Sequence, residues 1–203
     1  MVKENTTFSE GNILPHFVRQ CEDLSMLIEI NSSTHPVIMD MRYASTHNFT
    51  GQVIYKKSLC LIHKDALVLF EKAIELAMKQ GYTFKVFDAF RPQAAQEALW
   101  NICPNDMYIM QPTKGSVHTR GVAIDLILVD KDAAELDMGT PFDDFTEQSH
   151  HGASLPAAIE QNRYMLLGIM TTAGFDFYRN EWWHYQMFNP REYELIHDNH
   201  GIM

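Results

Sequence analysis

The 203-residue sequence predicts one globular domain that mixes helices with strands. Lys64 to Gln80 carries apolar residues at three- and four-residue spacing, and Pro156 to Ala173 opens on proline and closes on Gly174, so both read as helices. Val122 to Val129 is a near-continuous apolar run, and Tyr82 to Phe90 alternates, so both read as strands. With 46% hydrophobic and 21% charged residues the chain can bury a core and is not of the disordered class.

Taken in order, residues 1–20 offer an extension with one apolar patch, Ile13 to Val18; the extension is drawn as far as residue 35. Within it Leu27-Ile28-Glu29-Ile30 reads as a brief strand and Asn31-Ser32-Ser33 as a turn. Pro36 to Tyr43 reads as an extended edge segment, and Asn48-Phe49-Thr50-Gly51 as the turn after it. In the first helix Leu67, Phe70, Ala73, Ile74 and Ala77 form the apolar stripe, and Gly81 stands where a helix stops. The following strand is expected to show Phe84, Val86 and Asp88 on one face. Arg91-Pro92 comes next, with a helix from Gln93 to Trp100, which sets Arg91 at a strand-to-helix corner where side chains often enter a site.

Pro104 to Lys114 is a polar loop, and 130–155 is a long acidic one of the kind that is usually functional when it interrupts a compact domain. The adjacent His150 and His151 read as ordinary polar loop residues and are left out of the site. Phe175 to Met187 is aromatic-rich and reads as one or two strands, with a distortion near Glu181. The tail from Pro190 reads as a short helix or turn, and the chain shows no internal repeat.

The totals narrow the function. A net charge of -10 argues against a nucleic-acid partner, which needs clustered lysine and arginine. Cys21, Cys60 and Cys103 are odd in number and widely spaced, as reduced structural thiols would be. Met1 to Gly11 lacks the apolar core of a signal peptide, and no run approaches the ~18 apolar residues of a membrane span, so the expected compartment is the cytoplasm.

The chemistry centres on Gly115 to Asp125. His118 and Asp125 stand seven positions apart around Gly121, and Glu181-Trp182-Trp183-His184 adds a second histidine and a second carboxylate. An aspartate inside an apolar strand is unfavourable unless it is paired or binds a metal, which makes Asp125 the most informative residue of the chain. Two histidines and one aspartate form a three-ligand set that leaves a fourth tetrahedral position for water, as catalytic zinc sites do. Glu181 is then the spare carboxylate, placed to take a proton from that water. These residues alone point to a zinc hydrolase.

Ser-x-His-x-x-Gly-x-Ala-x-Asp at 116–125, followed by Glu-x-x-His at 181–184, resembles the zinc D-Ala-D-Ala metallopeptidases of the hedgehog/DD-peptidase fold, and within them the D-alanyl-D-alanine dipeptidases. The resemblance extends to Arg42-Tyr43-Ala44, Asn48 to Gly51, Asp88 to Pro92, Met138-Gly139, Phe142-Asp143, Ser149 to His151 and Gln161 to Arg163, so that it spans roughly residues 40–188. Ala89 departs from the glycine expected there, without disabling the site. The resemblance implies an α+β fold, an antiparallel sheet with helices packed on one face. It implies one Zn2+ per chain held by His118, Asp125 and His184, with Glu181 as general base and then proton donor, and Arg91 at the oxyanion. Ser116, Asp143 and Tyr43 are the implied substrate contacts, Asp143 toward the free ammonium of a dipeptide.

The expected reaction is hydrolysis of free D-Ala-D-Ala to two D-alanines, serving either recycling of cell-wall dipeptide or its depletion in glycopeptide resistance. Two other readings stand beside it. A D,D- or L,D-carboxypeptidase acting on murein peptides would cleave an N-acylated substrate. A non-catalytic zinc-binding module of the same fold would have no reason to keep Glu181 and Arg91.

Overall fold

A computed structural model describes residues 26–203; the apolar patch at Ile13 to Val18 and Cys21 lie outside the described residues. Among the described residues the fold has two sheets and three helices. Strands β1 (Leu27–Ile30) and β3 (Cys60–His63) form an antiparallel pair, so residues 27–30 are built into the structure. The main sheet has five strands in the order β2 (Val37–Met39), β4 (Thr83–Asp88), β5 (Ala123–Val129), β7 (His184–Gln186), β6 (Asp176–Phe177). The fold is α+β, as the sequence led us to expect. All pairings in the main sheet are antiparallel except β2 with β4, which run parallel. The outermost strands are three and two residues long.

Helix α1 (Lys64–Lys79) begins where His63 Nδ1 accepts the Asp65 amide at 3.2 Å, which satisfies one of the free N–H groups of the first turn. Its stripe of Ala66, Phe70, Ala73, Ile74 and Ala77 is buried, and Phe70 meets Phe84 of β4 with ring centroids 5.7 Å apart. Helix α3 (Ala157–Ala173) packs beside α1 and ends at Gly174, while α2 (Gln93–Ile102) follows Pro92. Each large apolar side chain buried here contributes about 1.5–3 kcal/mol.

Strand β5 is central, and all seven of its residues are buried. Leu126 and Leu128 lie opposite Val86 and Phe84, on the face that receives α1. Ile127 and Asp125 alternate to the other face. The register with β4 then slips by one residue, Val86 facing Leu126 but Asp88 facing Asp125. This bulge corrects the expectation that Asp88 shares a face with Phe84 and Val86. The extra residue turns Asp88 to the side of Asp125.

Segment 130–155 is indeed an irregular excursion, with one short 3-10 turn at Glu147–Ser149. The buried Arg163 guanidinium of α3 organises it by donating to the carbonyls of Met138, Gln148 and His150. The tail forms a 3-10 turn at Pro190–Glu192 and then runs on in an extended path, the Ile196 amide donating to the Thr119 carbonyl at 2.9 Å.

Candidate metal centre

Three strands and one loop bring the chemistry together. Cross-strand pairing sets His184 of β7 directly beside Asp125 of β5. His118 opens a 3-10 turn, His118–Arg120, that Gly121 closes with a φ of 70°. A Cβ at Gly121 would lie 2.7 Å from Leu27 Cδ2 and 3.3 Å from the His63 amide nitrogen, so both conformation and space call for glycine. The turn is stitched to the corner after β4: His118 Nδ1 donates to the Ala89 carbonyl at 2.7 Å, and the Arg91 amide donates to the His118 carbonyl at 3.2 Å. Ala89 itself is buried, and its carbonyl serves the site whether the residue is alanine or glycine.

His118 Nε2 lies 3.1 Å from His184 Nδ1 and 3.4 Å from Asp125 Oδ2, while His184 Nδ1 lies 3.0 Å from Asp125 Oδ1. The far nitrogen of each ring has an acceptor, the Ala89 carbonyl for His118 and Gln186 Oε1, at 3.0 Å, for His184. With the ring protons on those far nitrogens, two nitrogen lone pairs and a carboxylate converge with no proton between them. Such a set repels itself without a cation. The separations are close to the ~3.3 Å edge of a tetrahedron whose vertices lie about 2 Å from its centre. The donor set therefore fits a divalent metal ion. Among the described residues no other cluster of three or more histidine, cysteine or acidic side chains has metal-binding spacing.

Asp125 is 2% exposed. Burial pushes its carboxyl up, but His118 and His184 more than reverse this, and it lies below the ordinary carboxylate range. Glu181 is 7% exposed, in the turn between β6 and β7. The turn, with the His184 amide donating to the Glu181 carbonyl at 3.4 Å, brings Glu181 Oε2 to 3.8 Å from His184 Nδ1. The expected distortion is thus a turn ahead of β7. Burial, with repulsion from Asp125, pushes the Glu181 carboxyl well up, and Arg91 pulls the other way.

Arg91 is buried and firmly held. Its Nε and Nη2 donate to Asp88 Oδ2 at 2.9 and 2.8 Å, and Nη1 donates to Gln96 Oε1 at 3.0 Å. Tyr55 Oη donates to the other Asp88 oxygen at 2.8 Å. Nη2 also lies 3.7 Å from Asp125 Oδ2, and the guanidinium carbon stands 5.0 Å from the centre of the Tyr43 ring. The bulge in β4 is what makes this arrangement possible, because it delivers Asp88 to the site face.

A cavity opens on these groups, and Tyr43, Arg91, Ser116, His118, Asp125, Asp143, Glu181 and His184 all line it. Asp143 belongs to the 130–155 excursion and takes a φ of 62°, a left-handed conformation that non-glycine residues hold only under constraint. Tyr43 Oη donates to its carboxylate at 3.1 Å. Burial raises the Asp143 carboxyl well above its ordinary range, against the pull of Arg91. Ser116 Oγ accepts the His118 amide at 3.2 Å, which ties the loop to the ligand turn. His150 and His151 stay apart from the metal donors: His150 Nε2 contacts Tyr108 Oη at 2.9 Å, and His151 packs on Phe177.

The sequence reading missed three supports. Asp88 belongs to the matched motif without an assigned role, and Gln96 falls in the helix expected from Gln93 to Trp100 without one, yet Gln96 is fully buried and also donates to the Met110 carbonyl at 2.7 Å. Gln186 stands two residues beyond His184 on the same strand face. That spacing of two was the available signal.

Comparison with known proteins agrees with the geometry. The profile of the peptidase M15 family, described as D-ala-D-ala dipeptidase, matches residues 24–201. The D-alanyl-D-alanine dipeptidase of Escherichia coli is 40% identical over 177 residues, which cover 87% of this chain and 92% of that protein. That of Enterococcus faecalis is 34% identical over 79% of this chain and 90% of its own length. The Streptomyces coelicolor protein of the same name is 32% identical over 73% and 84%.

Proposed function

The chain belongs to the D-ala-D-ala dipeptidase family, and on that premise we propose that it hydrolyses the free dipeptide D-Ala-D-Ala to two molecules of D-alanine. The observation that carries the proposal is a single cavity in which three metal-binding atoms, a buried glutamate, a fixed arginine and a second carboxylate all face the same space. The activity is assigned to one domain that includes all the described residues.

His118 Nε2, Asp125 and His184 Nδ1 hold the metal, and zinc suits two imidazoles with one carboxylate. When bound, the cation supplies a Lewis acid for the carbonyl and lowers the pKa of a water to about 7. The remaining chemistry belongs to the chain. Glu181 accepts the proton of the attacking water and returns it to the departing amine, so that the leaving group departs neutral. Its burial beside Asp125 favours the proton-holding form, which suits the second of these tasks. Arg91, held by Asp88 and Gln96, presents a fixed positive charge to the oxyanion and needs no rearrangement to do so.

Asp143, supported by Tyr43, receives the substrate ammonium. That cation offsets the disfavoured charge of the buried Asp143 carboxylate, whereas an acylated amine would leave it unpaired. Ser116 lies at the His118 side of the cavity and contacts the dipeptide there. A requirement for a free amino terminus favours a dipeptide pool over cross-linked wall material, and with it a cytoplasmic site of action. No helix among the described residues is long and apolar enough to cross a membrane.

The decisive experiment measures free D-alanine released by the zinc-loaded protein from D-Ala-D-Ala, L-Ala-L-Ala and N-acetyl-D-Ala-D-Ala. Cleavage of the first alone is expected. Cleavage of the acetylated substrate would make the protein a carboxypeptidase, and cleavage of none would remove the catalytic reading.

A further inference from the structure

We propose that Gln186 is a positioning residue for the metal centre, its side-chain carbonyl holding His184 in the tautomer that leaves Nδ1 free to bind a cation. The inference rests on the reading that His118, Asp125 and His184 hold a divalent metal.

A neutral imidazole carries one ring proton, and two acceptors compete for that of His184. Asp125 Oδ1 lies 3.0 Å from Nδ1, and Gln186 Oε1 lies 3.0 Å from Nε2. A carboxylate is the stronger acceptor, so with Asp125 alone the proton would settle on Nδ1. That tautomer spends Nδ1 on an N–H to Asp125 Oδ1 and cannot act as a ligand. Gln186 supplies the competing acceptor on the far side of the ring, and a divalent ion can then take the Nδ1 lone pair without first displacing a proton.

Backbone geometry makes the contact possible. His184 and Gln186 are i and i+2 on β7 and project to one face, and Gln186 pairs across the sheet with Ala123, whose methyl group leaves room for the longer side chain. The two histidines are secured in different ways. His118 is held by the backbone carbonyl of Ala89, which survives substitution, whereas His184 depends on a side chain that one mutation removes.

The test is zinc affinity measured by competition with a chelator, for the unaltered protein, Gln186→Leu and Gln186→Glu. Leucine removes the acceptor, and zinc binding should weaken by about 10- to 100-fold. Glutamate keeps an acceptor oxygen in place and should bind zinc at least as tightly as the unaltered protein. Unchanged affinity in Gln186→Leu overturns the proposal, and so does an equal loss in both variants. Should the leucine variant fail to fold, nitrogen-15 NMR of the unaltered zinc-loaded protein decides. The proposal requires His184 to bind through Nδ1 and to carry its proton on Nε2; the reverse pattern overturns it. Absence of zinc binding by the unaltered protein would instead overturn the metal assignment on which it rests.

Discussion

Glu181 and Arg91 bring a proton-transfer group and a fixed positive charge into one cavity, and a conservative change at each separates chemistry from folding. Glu181→Gln keeps the size of the side chain and leaves all three metal donors in place. The variant should retain zinc while kcat falls by about 100- to 10,000-fold, and a near-normal rate would remove Glu181 from proton transfer. Arg91→Lys keeps the charge but loses the paired Nε and Nη2 contacts to Asp88. Its kcat should fall by about 100- to 1,000-fold, measured beside the melting temperature. Alanine at this position would confuse the result, because it strands the buried Asp88 carboxylate at about 3–5 kcal/mol. Legibility at this scale followed physical unfavourability. Asp125 announced itself as a charge inside an apolar run. Gln186 did not, because a glutamine ending a strand is unexceptional until its partner is known.

Periodicity located the helices and strands well, since α1, α3, β4 and β5 all fall within one or two residues of their expected spans. It could not see departures from periodicity. The β4 bulge depends on the neighbouring strand and reverses the facing that simple alternation gives to Asp88, whereas the distortion near Glu181 was legible from the need of Glu181 and His184, three positions apart, to reach one cation. Gly121 tests how tightly such local geometry is specified. In Gly121→Ala the left-handed backbone becomes unfavourable by about 1–2 kcal/mol, and the added methyl group meets Leu27. Thermal stability should drop, and zinc affinity with it, because the turn that carries His118 must shift. A variant with unaltered melting temperature and affinity would show that the turn tolerates another conformation.

Across the whole molecule, the three donors come from a loop, a central strand and a later strand, 59 and 66 residues apart for the pairs that include His184. The unfolded chain offers no comparable site, so metal binding and folding are linked. Free zinc at about 100 times its dissociation constant should stabilise the protein by about 2.7 kcal/mol. That corresponds to a rise in melting temperature of roughly 5–10 °C in a chain of this size, reversed by a chelator and read by calorimetry. No rise would mean that the donors do not act as one site. The overall class was legible from length, patterning and motif resemblance. The parallel pairing of β2 with β4 was not, because two short segments far apart in sequence carry no record of their mutual direction.

The main sheet ends on strands of three and two residues, and this has a consequence for behaviour in a crowded solution. A sheet margin recruits other chains through a row of unpaired N–H and C=O groups, and rows this short offer a second molecule few places to dock. The apolar β5, which alone would be among the most fibril-prone stretches of the chain, lies two strands in from either margin. Self-association into fibrils then has to wait for the sheet to open, so the resistance of the folded protein to aggregation should follow its unfolding rate and not its concentration alone.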